Sequence, residues 1–335
     1  MRTITPEIIQ NKRVLIRIDT DVPIKDGIVT DDSRLTAVLP TLQLLQTHAQ
    51  AITILGHLGR PKGQVVPEFS LQPIALRLTE LLHEQVELQT LAHNSTSSSK
   101  FHLLENLRFD PREEEPSVEF AQELTINHDL FIFEAFAVAH RAATSTTIIP
   151  QQLPAYAGLR LAQEVTELSR ILHTPSHPFL AIIGGAKIET KLPTVEKLQS
   201  LADHLFVGGK LPHEIKEKGL EFPPHVQVAT MNTNGLDIDE NSIAKLIDQV
   251  KNAKLIVWNG PLGKFEDPTA QVGTKALCEA LKLSSAYKVI GGGETISAVN
   301  TFHAESSINF ISVGGGAMLE FLSGKELPAI AALSN

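Results

Sequence analysis

The chain has 335 residues, of which 42% are hydrophobic and 20% charged, enough ordinary sequence for one large or two smaller globular domains with real cores. A formal net charge of −9 argues against nucleic acid as the main partner, so any cationic patch is local. A single cysteine, Cys278, excludes an internal disulfide, the first ten residues lack a signal peptide's apolar core, and no stretch nears the about 18 apolar residues of a membrane span. The expectation is a cytoplasmic protein that does not bind membranes.

In chain order, apolar runs of four to six residues alternate with helical patterns, which predicts βα units and parallel sheets. The run Val14-Leu15-Ile16 leads into Arg17-Ile18-Asp19, and Ala51 to Leu55 leads into His57-Leu58-Gly59-Arg60. A helix is predicted over Ser70 to His83, where Leu71, Ile74, Ala75, Leu78, Leu81 and Leu82 share a face, with Ser70 as N-cap and Pro73 in the first turn. The polar stretches 92–100 (AHNSTSSSK) and 110–117 (DPREEEPS) read as surface loops. Leu103-Leu104 precedes Asn106-Leu107-Arg108, and Leu130 to Phe133 precedes Ala139-His140-Arg141. An amphipathic helix is predicted over Tyr156 to Leu172, and the breaker-rich stretch His173 to Pro178 is the expected division between two lobes.

The second half carries glycine in place of charge after its strands. Gly184-Gly185-Ala186-Lys187, Gly208-Gly209, Asn259-Gly260-Pro261-Leu262-Gly263, Gly291-Gly292-Gly293 and Gly314-Gly315-Gly316 all sit at predicted strand ends. Ligands of open parallel sheets bind outside the carboxyl ends of strands. One half therefore offers arginines and histidines suited to a small polyanion, and the other offers backbone N–H groups suited to phosphates. A glycine pair after one strand serves a tight turn equally well, but five such loops point to close approach of a ligand. Lys187 and Lys191, four apart at a helix start, would share a face beside those N–H groups. None of the loops matches a Walker P-loop or the dinucleotide fingerprint, and the zinc-protease and serine-hydrolase motifs are missing.

These residues resemble the phosphoglycerate kinase family over nearly the whole chain. The correspondence includes Lys12 to Asp19 with Val22-Pro23, the string Gly56 to Gly63 (GHLGRPKG), Leu104 to Phe109, Gly184 to Lys187, Trp258 to Gly263 (WNGPLG), both triple glycines, and the tail segments Leu319 to Leu322 and Gly324 to Pro328. The resemblance implies two doubly wound Rossmann-like lobes, 1–155 for a triose and a reduced 173–319 for nucleotide. A hinge helix over 156–172 would join them, and a tail over 320–335 would return to the first lobe. It implies reversible phosphoryl transfer from 1,3-bisphosphoglycerate to MgADP, giving 3-phosphoglycerate and MgATP, by a monomer whose closure aligns the two substrates. Asp19, Asp21, Arg34, His57, Arg60, Arg108 and Arg141 would hold the triose. Gly185, Ala186, Lys187, Lys191, Gly208, Asn259, Pro261, Glu266, Gly292, Gly293, Glu294 and Thr295 would hold nucleotide, with Glu294 on Mg²⁺. Arg34, Lys187, Lys191, Gly292 and Gly315 would serve the transfer itself.

The chain departs from the family's pattern at several of these places. Asp21 replaces an asparagine, Glu294 an aspartate and Thr190 an acidic residue, while Phe133, Ala137, Val138 and Val313 alter two further motifs. The region from Gly209 to Asp237 lacks a helix-and-strand's worth of sequence beside the adenine pocket. Two alternatives therefore stand beside the kinase: a kinase-fold binding protein with impaired catalysis, and a kinase for another carboxylic acid.

Overall fold

Runs of Val, Ile, Leu and Phe too short for helices form two parallel sheets in the computed structural model, which describes residues 1–90 and 99–334. The chain divides into two units, Met1–Val165 with Glu326–Asn335, and Thr166–Lys325.

In the first unit the strands are β1 (Arg13–Ile18), β2 (Ile24–Lys25), β3 (Ile28–Val29), β4 (Ala51–Leu55), β5 (Val86–Gln89), β6 (Phe101–Leu104), β7 (Leu130–Glu134) and β8 (Ala155–Ala157). Six of them pair in the order β5-β6-β4-β1-β7-β8, every pairing parallel, while β2 and β3 make a small antiparallel hairpin. The central strand β1 is buried from Val14 to Ile18, as a parallel strand covered on both faces must be. The helices are α1 (Pro6–Ile9), α2 (Ser33–Ala37), α3 (Leu39–His48), α4 (Gln72–Leu82) and α5 (Val118–Thr125).

This half departs from its sequence pattern at three places. The helix expected from Ser70 begins at Gln72, because the Ser70 hydroxyl donates to Glu105 Oε2 at 2.8 Å and accepts from the Gln72 amide, which places Ser70 ahead of the capping residue Leu71. The stretch 110–117 is no mere surface loop: Pro111–Glu113 is a 3₁₀ turn and Glu113 is buried. Arg17 lies inside β1 instead of beyond its end. Most of the 92–100 stretch falls outside the described residues.

The helix α6 (Leu159–His173) carries the chain from one unit to the next, and the division falls within it, between Val165 and Thr166, instead of after it. It begins three residues later than the sequence suggests, because Tyr156 lies in the edge strand β8, paired with Ile132 of β7. Glu134, at the end of β7 and buried, holds its start: one carboxylate oxygen accepts from the Arg160 amide at 2.9 Å, the other from the Leu161 amide at 2.8 Å, and Thr41 Oγ1 donates to the first.

The second unit repeats the plan. Strands β9 (Phe179–Ile183), β10 (His204–Val207), β11 (Val226–Val228), β12 (Leu255–Asn259), β13 (Tyr287–Gly291) and β14 (Phe310–Ser312) pair in parallel in the order β11-β10-β9-β12-β13-β14. Around them lie α7 (Ile188–Leu198), α8 (Leu211–Glu217), α9 (Glu240–Asn252), α10 (Val272–Leu283), α11 (Gly293–Thr301) and α12 (Gly315–Leu322). Trp258 is wholly buried and donates to Gly260 O at 2.7 Å. The region after Gly209 that the sequence reading takes as shortened holds α8, β11 and an antiparallel bridge between Met231 and Ile238.

The last helix, α13 (Pro328–Ala332), belongs to the first unit, where the Ala329 amide donates to Ala139 O and Leu327, Ala329 and Leu333 are buried. Among the described residues no helix is long and apolar enough to cross a membrane.

Replacing Glu134 with Ala removes the carboxylate that the Arg160 and Leu161 amides use at a buried helix start. Urea denaturation should show a loss of about 2 kcal/mol or more. An unchanged midpoint would mean that packing alone holds the start of α6.

Candidate functional site

The cations of the first unit are fixed from below. Arg17, 2% exposed, sends Nη2 to His57 Nδ1 at 2.8 Å, Nε to Ser145 Oγ at 3.1 Å and Nη1 to the carbonyl of Ile18. Burial lowers its pKa, opposed chiefly by the charge of Glu113. Ser145 in turn gives Glu113 two bonds, from Oγ at 2.6 Å and from its amide at 3.0 Å. Burial raises the pKa of Glu113, with Arg17 the first opposing influence. A buried guanidinium thus has a buried carboxylate to balance it.

The predicted triose residues other than Arg60 gather around this pair. His57, just past β4, is 2% exposed, and burial first and then Arg17, Arg108, Arg141 and Arg34 push its pKa well below the ordinary histidine value. Asp19 is buried and lies 3.1 Å from Arg34 Nη1, which also donates to Asp21 O at 2.8 Å. Burial raises the Asp19 pKa, and Arg34 is the largest influence opposing it. Asp21 accepts from the Gly59 amide at 3.0 Å and reaches to 4.0 Å of His57 Nε2. Arg108, mostly buried, donates to Gly59 O at 2.7 Å and pairs with Glu114 at 3.3 Å. A cavity of about 300 Å³ is lined by Arg17, Arg108, Arg141, Glu113, Glu114 and Thr146 among others. Arg60 and Arg141 are exposed. Of the predicted triose residues only Arg108 and Arg141 line this cavity, and two of its three arginines already face a glutamate, Arg17 with Glu113 and Arg108 with Glu114.

Sequence reasoning names neither Arg17, Glu113 nor Ser145 as a site residue. Arg17 carries a legible signal, a charged residue between apolar neighbours in a central strand. Glu113 and Ser145 carry none, since each looks like its polar surroundings.

In the second unit the loops after β9, β12, β13 and β14 interlock. Asn259 Nδ2 donates to Gly291 O at 2.7 Å, and Asn259 Oδ1 accepts from Lys191 Nζ at 2.7 Å. Gly260 donates its amide to Thr295 Oγ1 at 2.7 Å, and the Gly185 amide donates to Pro261 O at 2.7 Å. Several glycines are required by these mutual contacts. A Cβ on Gly184 would meet Pro261 O at 2.3 Å, and one on Gly315 would meet Gly292 Cα at 2.4 Å. Loop-on-loop packing, which the sequence reading credited to a ligand, accounts for these two. Gly293 differs, with open space where its Cβ would be, so its backbone stays approachable at the start of α11. Gly208 packs against Leu262 instead of facing open space.

Lys187 and Lys191 do not share a face. Lys187 precedes α7 in the left-handed region (φ 67°) and is exposed, whereas Lys191 is buried one turn in. Burial brings the Lys191 pKa down to about 8, with Glu294 opposing. The amides of Lys187, ahead of α7, and Ile188, its first residue, donate to Glu214 of α8 at 3.1 and 2.7 Å, a cap the sequence did not disclose. Glu266 and Glu294 are exposed, the latter in the first turn of α11. Among the described residues no group of three or more His, Cys, Asp or Glu side chains is placed to hold a metal.

The family model for phosphoglycerate kinase matches residues 4–221 and 213–325. Among solved structures, the phosphoglycerate kinase from Coxiella burnetii is 34% identical, with a TM-score of 0.84 and 97% of each chain covered. The phosphoglycerate kinase from Pyrococcus horikoshii OT3 is 28% identical, with a TM-score of 0.86 and coverage of 100% of this chain and 98% of that one.

The lowered pKa of Lys191 has a consequence for anion binding. A phosphate brought beside Nζ favours the charged form, so binding takes up a proton above about pH 8 and weakens as pH rises, by up to about tenfold per unit. Calorimetry of a nucleoside diphosphate at about pH 7, 8 and 9 checks this. Affinity that stays flat across that range would remove Lys191 from the phosphate contacts.

Proposed function

Because the chain belongs to the phosphoglycerate kinase family, we propose that it transfers a phosphoryl group reversibly between 1,3-bisphosphoglycerate and MgADP, yielding 3-phosphoglycerate and MgATP. One observation carries the reading. The carboxyl edge of one sheet ends in arginines braced by buried acids, and that of the other ends in interlocked glycine loops with a buried lysine.

In this reading the first unit holds the phosphorylated acid through Asp19, Asp21, Arg34, His57, Arg60, Arg108 and Arg141. Arginine forks suit its phosphate and carboxylate because each grips two oxygens at once. The second unit holds nucleotide through Gly185, Ala186, Lys187, Lys191, Asn259, Pro261, Glu266, Gly292, Gly293, Glu294 and Thr295, with Gly208 and Gly315 shaping the loops. In the synthetic direction a carboxylate oxygen of 3-phosphoglycerate forms a bond to the terminal phosphorus of ATP as the bond to ADP breaks. Such a transfer asks the protein for alignment, charge neutralisation and exclusion of water. Arg34 and Lys187 neutralise charge on the transferring group, and Lys191 supports the nucleotide phosphates.

Glu294 supplies one exposed carboxylate at a helix start, which suits Mg²⁺ arriving with nucleotide, since that ion takes one or two carboxylates and keeps phosphate oxygens and water as its other ligands. When bound, Mg²⁺ neutralises phosphate charge. The charge of −9 disfavours docking to nucleic acid or an anionic membrane, and the single cysteine suits a cytoplasmic monomer.

Asp21 supports a second reading, a kinase for a different acid, because its carboxylate stands among the predicted triose contacts. A coupled assay with 3-phosphoglycerate and MgATP separates the cases. Turnover supports the first reading, turnover only on another acid supports the second, and binding of both substrates without turnover means a binding protein.

Arg34→Ala should lower kcat by roughly a hundredfold or more with the fold retained. A loss under about threefold would take Arg34 out of the transfer step. Asp21→Asn keeps an oxygen for the Gly59 amide and removes a negative charge. It should tighten 3-phosphoglycerate binding by up to about tenfold, and unchanged or weaker binding in calorimetry would show that Asp21 assists the ligand.

A further inference from the structure

We propose that Arg17 is a positioning residue that locks His57 in the Nε2–H tautomer, so that the ring presents one fixed hydrogen toward Asp21 and the anion side of the first unit. Donor count decides the tautomer. A guanidinium has five N–H donors and no acceptor. Its Nη2 lies 2.8 Å from His57 Nδ1, so Nδ1 must accept, and the ring hydrogen stands on Nε2. Arg17 cannot swing away from this duty, because it is fully buried and its other nitrogens are engaged by Ser145 Oγ and by the Ile18 carbonyl. Ser145 is itself held by two bonds to Glu113. A buried chain, Glu113–Ser145–Arg17–His57, therefore runs from a carboxylate in the core to a ring edge 4.0 Å from Asp21 Oδ2.

The charged groups around the ring point the same way. Arg17 of β1, Arg34 of α2, Arg108 and Arg141 all disfavour a second proton, and burial adds to them, while Asp21 is the acid within reach of Nε2. His57 is thus a neutral donor and takes no part in proton transfer. On the functional reading above, on which this consequence rests, Nε2–H is one hydrogen-bond donor to an oxygen of the phosphorylated acid.

Long-range ¹H–¹⁵N correlation spectra of the ligand-free, full-length protein test the tautomer without reference to activity. The expected spectrum shows His57 protonated at Nε2 and bare at Nδ1, with no titration near the ordinary histidine value. A hydrogen on Nδ1, or titration near the ordinary value of about 6.5, overturns the proposal. Arg17→Met should let both tautomers appear and raise KM for 3-phosphoglycerate about three- to tenfold, with kcat within about twofold. Arg17→Lys, which keeps an N–H donor, should restore the single tautomer. An Arg17→Met protein that retains the pure Nε2–H form overturns the role given to Arg17. If that variant does not fold, Ser145→Ala tests the same chain, with a mixed tautomer expected and an unaltered one contradicting it. A pure Nε2–H ring in a protein inactive on 3-phosphoglycerate supports the proposal while sinking the functional reading.

Discussion

A parallel sheet leaves the carboxyl ends of all its strands on one edge, and the backbone there must turn away without ladder partners. Everything distinctive in this chain is a response to that constraint. The first sheet meets it with charged side chains: Asp19 just past β1 with Arg17 inside the end of that strand, His57 beyond β4, Arg108 beyond β6, Arg141 beyond β7. The second meets it with glycine, whose missing Cβ lets the loops after β9, β12, β13 and β14 press together. Under the proposed function both edges would receive anions, the first through side-chain charge and the second through two lysines and such backbone N–H groups as stay open, Gly293 among them.

Charge at a sheet edge demands support, and the support reaches into the core. An unpaired guanidinium at Arg17's depth would cost several kcal/mol, so Glu113, Ser145, His57 and the carbonyl of Ile18 surround it. Asp19 and Arg34 form a second such pair nearer the surface. In the other unit the same need is met by Asn259, which links Lys191 to the end of β13, where its loop begins, through opposite ends of one amide. Removing the amide would free the lysine and the loop together.

Much of this was legible in the sequence where the signal is local. The period of apolar residues gives the parallel strands, and Arg, His and Gly at their ends give two kinds of edge; the family resemblance rests on the same residues and is matched by family model and fold. The illegible part depends on neighbours distant in sequence. Tyr156 reads as helix because its pattern continues that of α6, yet pairing with β7 makes it strand. Glu113 reads as a loop residue among acids, yet Ser145 and Arg17 draw it inside. Lys187 and Lys191 look like a helical pair, yet the left-handed turn at Lys187 separates them. Glycines read as ligand contacts prove in part to be contacts between loops. Each miss is a tertiary contact overriding a local pattern.

The central claim is a division of labour, with the phosphorylated acid on the first unit's cations and nucleotide on the second unit's loops. Amide shift mapping on ¹⁵N-labelled protein tests it most directly, with 3-phosphoglycerate and MgADP added separately. The account predicts that 3-phosphoglycerate moves resonances around Asp21, His57, Gly59, Arg108 and Arg141, and that MgADP moves those around Gly185, Lys191, Asn259 and Gly293. Both ligands perturbing the same unit, or 3-phosphoglycerate leaving the first unit's cationic residues unmoved, would contradict it.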